Sequence, residues 1–144
     1  MRKEWTSSSL SDTETIAHEV GELVRTRSIP RIFFLRGDIG SGKTTFVRLL
    51  LKDWGIEEGV ASPTFSIIHH YLHPTESIYH VDLYRLRSEM ELEDIGIFEL
   101  FSENNLVFVE WPDLLKEMKL PVTILDFTYG DTENTRRILL QTRP

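Results

Sequence analysis

The chain contains no cysteine. That excludes disulfides, thiolate metal centres and thiol nucleophiles, and it fits a reducing compartment such as the cytoplasm. No window approaches the roughly 18 consecutive apolar residues of a membrane-spanning helix. The N-terminal stretch MRKEWTSSSL carries Arg2 and Lys3 with no apolar segment behind them, so no secretory signal is expected there. Basic charge is scarce as well: 16 Lys and Arg stand against 23 Asp and Glu, a formal net charge of −7. A protein that grips nucleic acid alone displaces phosphate counterions with clustered Lys and Arg, and here the basic residues are scattered. Direct nucleic-acid binding is disfavoured, although a protein partner could supply a basic surface. The histidines lack metal-site spacing, since His69 and His70 would point to opposite faces of a strand and no His-x-x-x-His helix joins them to His73 or His80. Repeats, low-complexity segments and Pro/Gly/Ser-rich linkers are missing too, so residues 1–144 are expected to form one domain.

What is present is an alternation of helical and strand patterns. SDTETIAHEVGELVRT, residues 11–26, sets Ile16, Val20, Leu23 and Val24 on one helical face, and Ser11 with Glu14 has capping-box spacing. RIFFL, 31–35, is a strand candidate; TTFVRLLLKDWG, 44–55, then places Phe46, Leu49, Leu50 and Trp54 on one helical face and stops at Gly55. Further strands are expected at SIIHHY, SIYHVDLY, NLVFVEW and PVTILDF, and at RRILLQ, which can pair with its predecessor across the turn YGDTEN. SEMELEDIGIFELF, 88–101, reads as helix interrupted at Gly96. The expectation is an α/β three-layer sandwich of the P-loop NTPase type, its mixed sheet mostly parallel with an antiparallel C-terminal pair.

Between the first strand and second helix lies RGDIGSGKTTF, residues 36–46. Gly37, four free positions, Gly42, Lys43 and Thr44 match the P-loop pattern G-x-x-x-x-G-K-S/T. Each fixed residue has its own reason. Glycines let consecutive N–H groups converge on phosphate oxygens, and the following helix adds the positive end of its dipole. Lys43 supplies a mobile charge for β and γ phosphates, and the Thr44 hydroxyl can ligand Mg²⁺. The alternative, a solvated turn, leaves the strand–loop–helix context unexplained.

Such a site needs an acid at the end of a neighbouring strand. LVFVE ends at Glu110 after four apolar residues and is favoured for the metal shell; IYHVD reaches Asp82, placed toward the γ-phosphate to polarise a water or sense the phosphate. Either acid could instead cap a helix or form an ion pair, such as Asp82 with Arg85. Trp111 reads first as packing, with ordering of the acid-bearing loop as the alternative. No N-K-x-D segment is present to read guanine, which leaves adenine or weak base specificity. A small-molecule kinase with YRLRSE as its arginine source remains the rival reading, and a nucleotide-dependent binding module is a third.

GDIGSGKTTF, SPTF at Ser62 to Phe65, HVDLYR at His80 to Arg85, and Glu110 with Trp111 together resemble the TsaE (YjeE) family of bacterial ATPases. Their order and approximate spacing match over Gly37 to Trp111. The resemblance implies binding and slow hydrolysis of ATP, with ADP as product and Mg²⁺ as cofactor. It implies work on the TsaD–TsaB complex, which transfers the threonylcarbamoyl group from the adenylate made by TsaC; tRNA is met through those partners. It also implies phosphate contacts from Asp38, Ile39, Gly40, Ser41, Gly42, Lys43, Thr44 and Thr45, with Thr44 and Glu110 at magnesium. Asp82 and Lys43 join Glu110 as functional residues, Ser62 and Trp111 take switch or partner roles, and Thr13 lies near adenine. The family's C-terminal Gly-Arg has no match where this chain reads ENTRR; Arg136 and Arg137 are candidates for its arginine, with plain strand surface the favoured reading of both.

Overall fold

The computed structural model describes residues 1–56 and 67–144. Ten regular elements run in chain order: β1 (Arg2–Ser7), α1 (Leu10–Arg25), β2 (Ile32–Arg36), α2 (Lys43–Asp53), β3 (Ile68–Leu72), β4 (Ser77–Asp82), α3 (Glu89–Asp94), β5 (Asn105–Glu110), β6 (Val122–Tyr129) and β7 (Arg136–Arg143). Short 3₁₀ turns at Ile97–Leu100 and Pro112–Leu115 join them. All seven strands form one mixed sheet in the order β1-β7-β6-β2-β5-β4-β3. Its centre is parallel, β6 with β2, β2 with β5 and β5 with β4. The outer pairs, β3 with β4, β6 with β7 and β7 with β1, are antiparallel.

Both faces of the central strands are covered, and this is why RIFFL reads as an unbroken apolar run rather than an alternation. Phe33 and Leu35 pack with Phe108 and Leu106 under α1 and α2, the rings of Phe33 and Phe108 lying 5.1 Å apart. Ile32, Phe34, Val107 and Val109 pack on the other side against Leu92, Ile97 and Leu115. The helical faces follow the apolar spacing: Ile16, Val20 and Val24 of α1 and Phe46, Leu49 and Leu50 of α2 are buried. Gly96 breaks the third helical stretch with φ 74°, so Ile97–Leu100 continues only as a 3₁₀ turn.

Two local expectations are corrected. The α1 cap is Ser9, whose side chain accepts from the Asp12 amide at 3.0 Å while Asp12 accepts from the Ser8 amide at 2.9 Å. The helix therefore starts at Leu10, and Ser11 and Glu14 lie inside it, so Ser11 is not the N-cap. A seventh strand, β1, was not foreseen: RKEWTS is an edge strand that exposes Arg2, Glu4 and Thr6 and has only Trp5 as an apolar residue on the other face, which masks its period-two pattern. The segment SPTF, with Ser62, lies outside the described residues. No helix among the described residues is long and apolar enough to cross a membrane.

Candidate functional site

Sheet order reverses at β2, with β5 on one flank and β6 on the other, and the glycine loop leaves β2 at this switch point. Gly37 adopts φ 147°, and a Cβ there would meet the Phe127 carbonyl and the Ser41 hydroxyl, each at 2.6 Å. Only a residue without a side chain lets the loop pass so close to β6. Gly42 caps α2 with φ 106° and no side-chain hydrogen bond. The first amides of α2 thus remain available to an anion, with the helix dipole behind them.

Lys43 opens α2 and is buried, with its Nζ donating to the Gly37 carbonyl at 2.6 Å and lying 3.7 Å from the centre of the Trp111 ring. Burial pulls its pKa below the ordinary lysine value, while Glu110, Asp82, Asp38 and Asp113 partly oppose that shift. Next to it, the Thr44 hydroxyl donates to Glu110 at 3.2 and 3.4 Å from the two carboxylate oxygens. Glu110 ends β5 and is 3% exposed. Asp82 ends β4 in register with Glu110 and accepts from the Tyr84 amide at 2.9 Å. Trp111 follows in a left-handed conformation, φ 56°, with its ring 5.0 Å from that of Tyr84.

These groups line a cavity of about 330 Å³ at the carboxyl ends of β4 and β5, together with Ile39, Gly40, Gly42 and Thr45. A second cavity of about 460 Å³ lies across the loop; it shares Gly40, Gly42 and Thr45 with the first and adds Ser41, Thr13 and Arg136. Thr13 is tied to Ser7 through a 2.6 Å hydroxyl contact, which holds the α1 start beside β1. Asp38 lines neither cavity and contributes its carbonyl to the loop, accepting from the Ser41 amide at 3.0 Å. Ile39 borders the first cavity while its side chain is largely exposed. Arg136 and Arg137 separate: Arg136 stands 4.2 Å over the Tyr129 ring at the second cavity, and Arg137 turns outward to Asp131 at 3.5 Å.

Sequence reasoning missed Tyr84, Tyr129 and the part played by His80. His80 is fully buried and its Nε2 lies 2.5 Å from Glu110 Oε2. The pattern His80-x-Asp82 held the signal, because alternate residues of a strand share a face. Thr44 and Glu110 bring together a hydroxyl and a carboxylate, the hard oxygen donors that suit Mg²⁺. Nearby, the Ser41 hydroxyl is buried without a hydrogen-bond partner among the described residues, a polar atom in the loop still able to take one.

Anion-ready amides, an enclosed lysine and a hydroxyl–carboxylate pair at the switch point of a parallel sheet define a P-loop nucleotide-binding protein. The model of the family described as "Threonylcarbamoyl adenosine biosynthesis protein TsaE" matches residues 7–139, and the chain belongs to that family. Among its relatives is the tRNA threonylcarbamoyladenosine biosynthesis protein TsaE of Rickettsia typhi, 34% identical over 108 residues and 74% of each chain. The Haemophilus influenzae TsaE is 38% identical over 109 residues, 73% of this chain and 68% of the relative. The Bacillus subtilis TsaE is 35% identical over 113 residues, 78% and 68% respectively. The crystal structure of Bacillus subtilis YdiB superposes with a TM-score of 0.76 at 26% identity, covering 99% of this chain and 85% of that one.

Proposed function

We propose that this protein, a single ATPase domain over 1–144, binds and slowly hydrolyses ATP with Mg²⁺ to support threonylcarbamoyladenosine modification of tRNA in the cytoplasm. It acts on the TsaD–TsaB complex so that the transferase turns over repeatedly, downstream of TsaC, and meets tRNA through those partners. The observation that carries the nucleotide part is the buried Lys43 inside the glycine loop, beside Thr44 bonded to Glu110. The family membership carries the pathway.

Lys43 is a closed-down version of a phosphate ligand: among the described residues its ammonium donates to the Gly37 carbonyl and lies against the Trp111 ring. A phosphate oxygen is a stronger partner than either, since a charge-assisted bond in a site of low dielectric exceeds one to a neutral carbonyl. Residues 38–45 wrap the phosphate tail, and the adenosine end takes the cavity holding Thr13 and Arg136. Thr44 and Glu110 would hold magnesium, which would supply charge neutralisation at the phosphates. Asp82 either polarises the attacking water or senses the γ-phosphate, and Trp111 and Ser62 couple that state to partners. Among the described residues no arginine lines the cavity that holds Lys43, Asp82 and Glu110, so a partner supplies the positive charge and turnover alone is low.

The decisive assay is multiple-turnover tRNA modification reconstituted from TsaC, TsaD and TsaB, with and without this protein. Addition should extend product beyond one round and TsaD–TsaB should raise its ATP hydrolysis. Unchanged hydrolysis over a full partner titration refutes the coupling, and full rescue by a hydrolysis-dead, ATP-binding variant refutes the role of hydrolysis.

A further inference from the structure

We infer that His80 is a positioning residue for the metal-binding carboxylate: its Nε2–H fixes Glu110 so that the remaining carboxylate lone pairs face the Thr44 hydroxyl. The inference rests on the reading of Thr44 and Glu110 as the magnesium residues.

The β4–β5 register pairs His80 with Phe108 and Asp82 with Glu110. Side chains two apart share a face, so His80, Asp82 and Glu110 all stand on the side where Phe108, Leu106 and Ile78 meet the helices α1 and α2. His80 is 0% and Glu110 3% exposed, and 2.5 Å separates Nε2 from Oε2. A carboxylate this deeply withdrawn from water needs donors, and one left loose would rotate toward whichever is nearest. Among the described residues Glu110 has two: His80 on Oε2, and Thr44, which reaches Oε2 at 3.2 Å and Oε1 at 3.4 Å. The shorter bond sets the plane of the carboxylate, while the longer, divided one is the bond that can be given up to a cation.

His80 Nδ1, by contrast, is buried with no hydrogen-bond partner among the described residues. An imidazole kept for packing would sit there at a cost, because a buried polar atom without a partner is unfavourable and Leu or Phe would fill the space without it. The ring therefore acts through one atom, and that atom addresses the carboxylate. This is the recurrent arrangement in which an outer group orients a metal ligand.

The test uses the full-length protein with ADP, Mn²⁺ as the metal probe and electron paramagnetic resonance to measure bound metal. Three variants are compared: His80→Leu removes the donor, His80→Asn carries an amide that ends near the Nδ1 position, and His80→Gln extends an N–H to the Nε2 position. His80→Leu and His80→Asn are expected to raise the half-saturating Mn²⁺ about 10-fold or more, with His80→Gln within about 3-fold of wild type. ADP affinity without metal should stay at the wild-type value in all three. Wild-type Mn²⁺ binding in folded His80→Asn overturns the inference, as does equal loss in His80→Asn and His80→Gln, which would assign His80 to packing. If His80→Leu does not fold, the Asn and Gln pair decides. Failure of the wild type itself to bind Mn²⁺ with ADP refutes the nucleotide reading, and is recognised before any variant is made.

Discussion

Trp111 occupies a left-handed backbone conformation, φ 56°, that costs a bulky residue free energy of about 1–3 kcal/mol. It gains there a contact with the Lys43 ammonium at 3.7 Å and with the Tyr84 ring at 5.0 Å. ADP that draws Lys43 onto its phosphates should therefore change the fluorescence of Trp111, and Trp111→Phe should abolish the ADP-dependent change although Trp5 and Trp54 remain. An equal change in that variant would show that the ring does not sense the lysine. At Gly37 the limit is steric: Gly37→Ala should lower unfolding free energy by about 2–3 kcal/mol in urea titration, since its Cβ would lie 2.6 Å from the Phe127 carbonyl. Gly37, Gly42, Lys43 and Thr44 were legible because they are neighbours in sequence. The Lys43–Trp111 contact and the Tyr84–Trp111 platform were not, because each is made by chain segments meeting in space.

Among the elements, α1 and β1 depend on each other. Ser9→Ala should cost about 1 kcal/mol by thermal or urea unfolding, whereas Ser11→Ala should stay within about 0.5 kcal/mol, because only Ser9 accepts from a first-turn amide. Apolar periodicity located the helix well and its cap two residues late, since Ser, Asp and Thr recur through residues 7–13 and any could have served. β1 was illegible for a different reason: an edge strand with a solvent face needs few apolar residues. Besides its pairing with β7 and the packing of Trp5, it is tied to α1 by polar bonds, Lys3 Nζ and Trp5 Nε1 both donating to Glu19 at 2.7 and 3.0 Å. The Lys3 bond, helped by Trp5, holds the Glu19 pKa below its ordinary 4.5 against the opposing effect of burial. A carboxylate with a lowered folded pKa stabilises above its unfolded value and loses that contribution as pH falls through the folded one. Glu19→Gln should therefore lower stability at pH 7, by ~0.5 kcal/mol given the solvent exposure of the pair, and the difference should fade as pH drops below about 4. A constant difference from pH 7 to pH 3 would assign the effect to packing.

For the whole molecule, nucleotide and fold are linked. A ligand held only by the native state at 100 times its dissociation constant adds about 2.7 kcal/mol, so ATP with Mg²⁺ should raise the melting temperature of the wild type and leave Lys43→Ala nearly unmoved. A shift of equal size in Lys43→Ala would remove the lysine from phosphate binding. The same scale explains how a chain of net charge −7 can hold an anion: the loop presents backbone amides and a helix end, fixed partial charges that net charge does not count. Sequence alone determined the loop, its lysine and threonine, the two acids ending apolar strands and the alternation of strands with helices, because each is written in local spacing. Tertiary structure alone decided that His80 stands behind Glu110 and that Arg136 rather than Arg137 faces the cavity beside Thr13. Strand order, register and the side on which a residue emerges arise from long-range pairing, and no stretch of sequence contains them by itself.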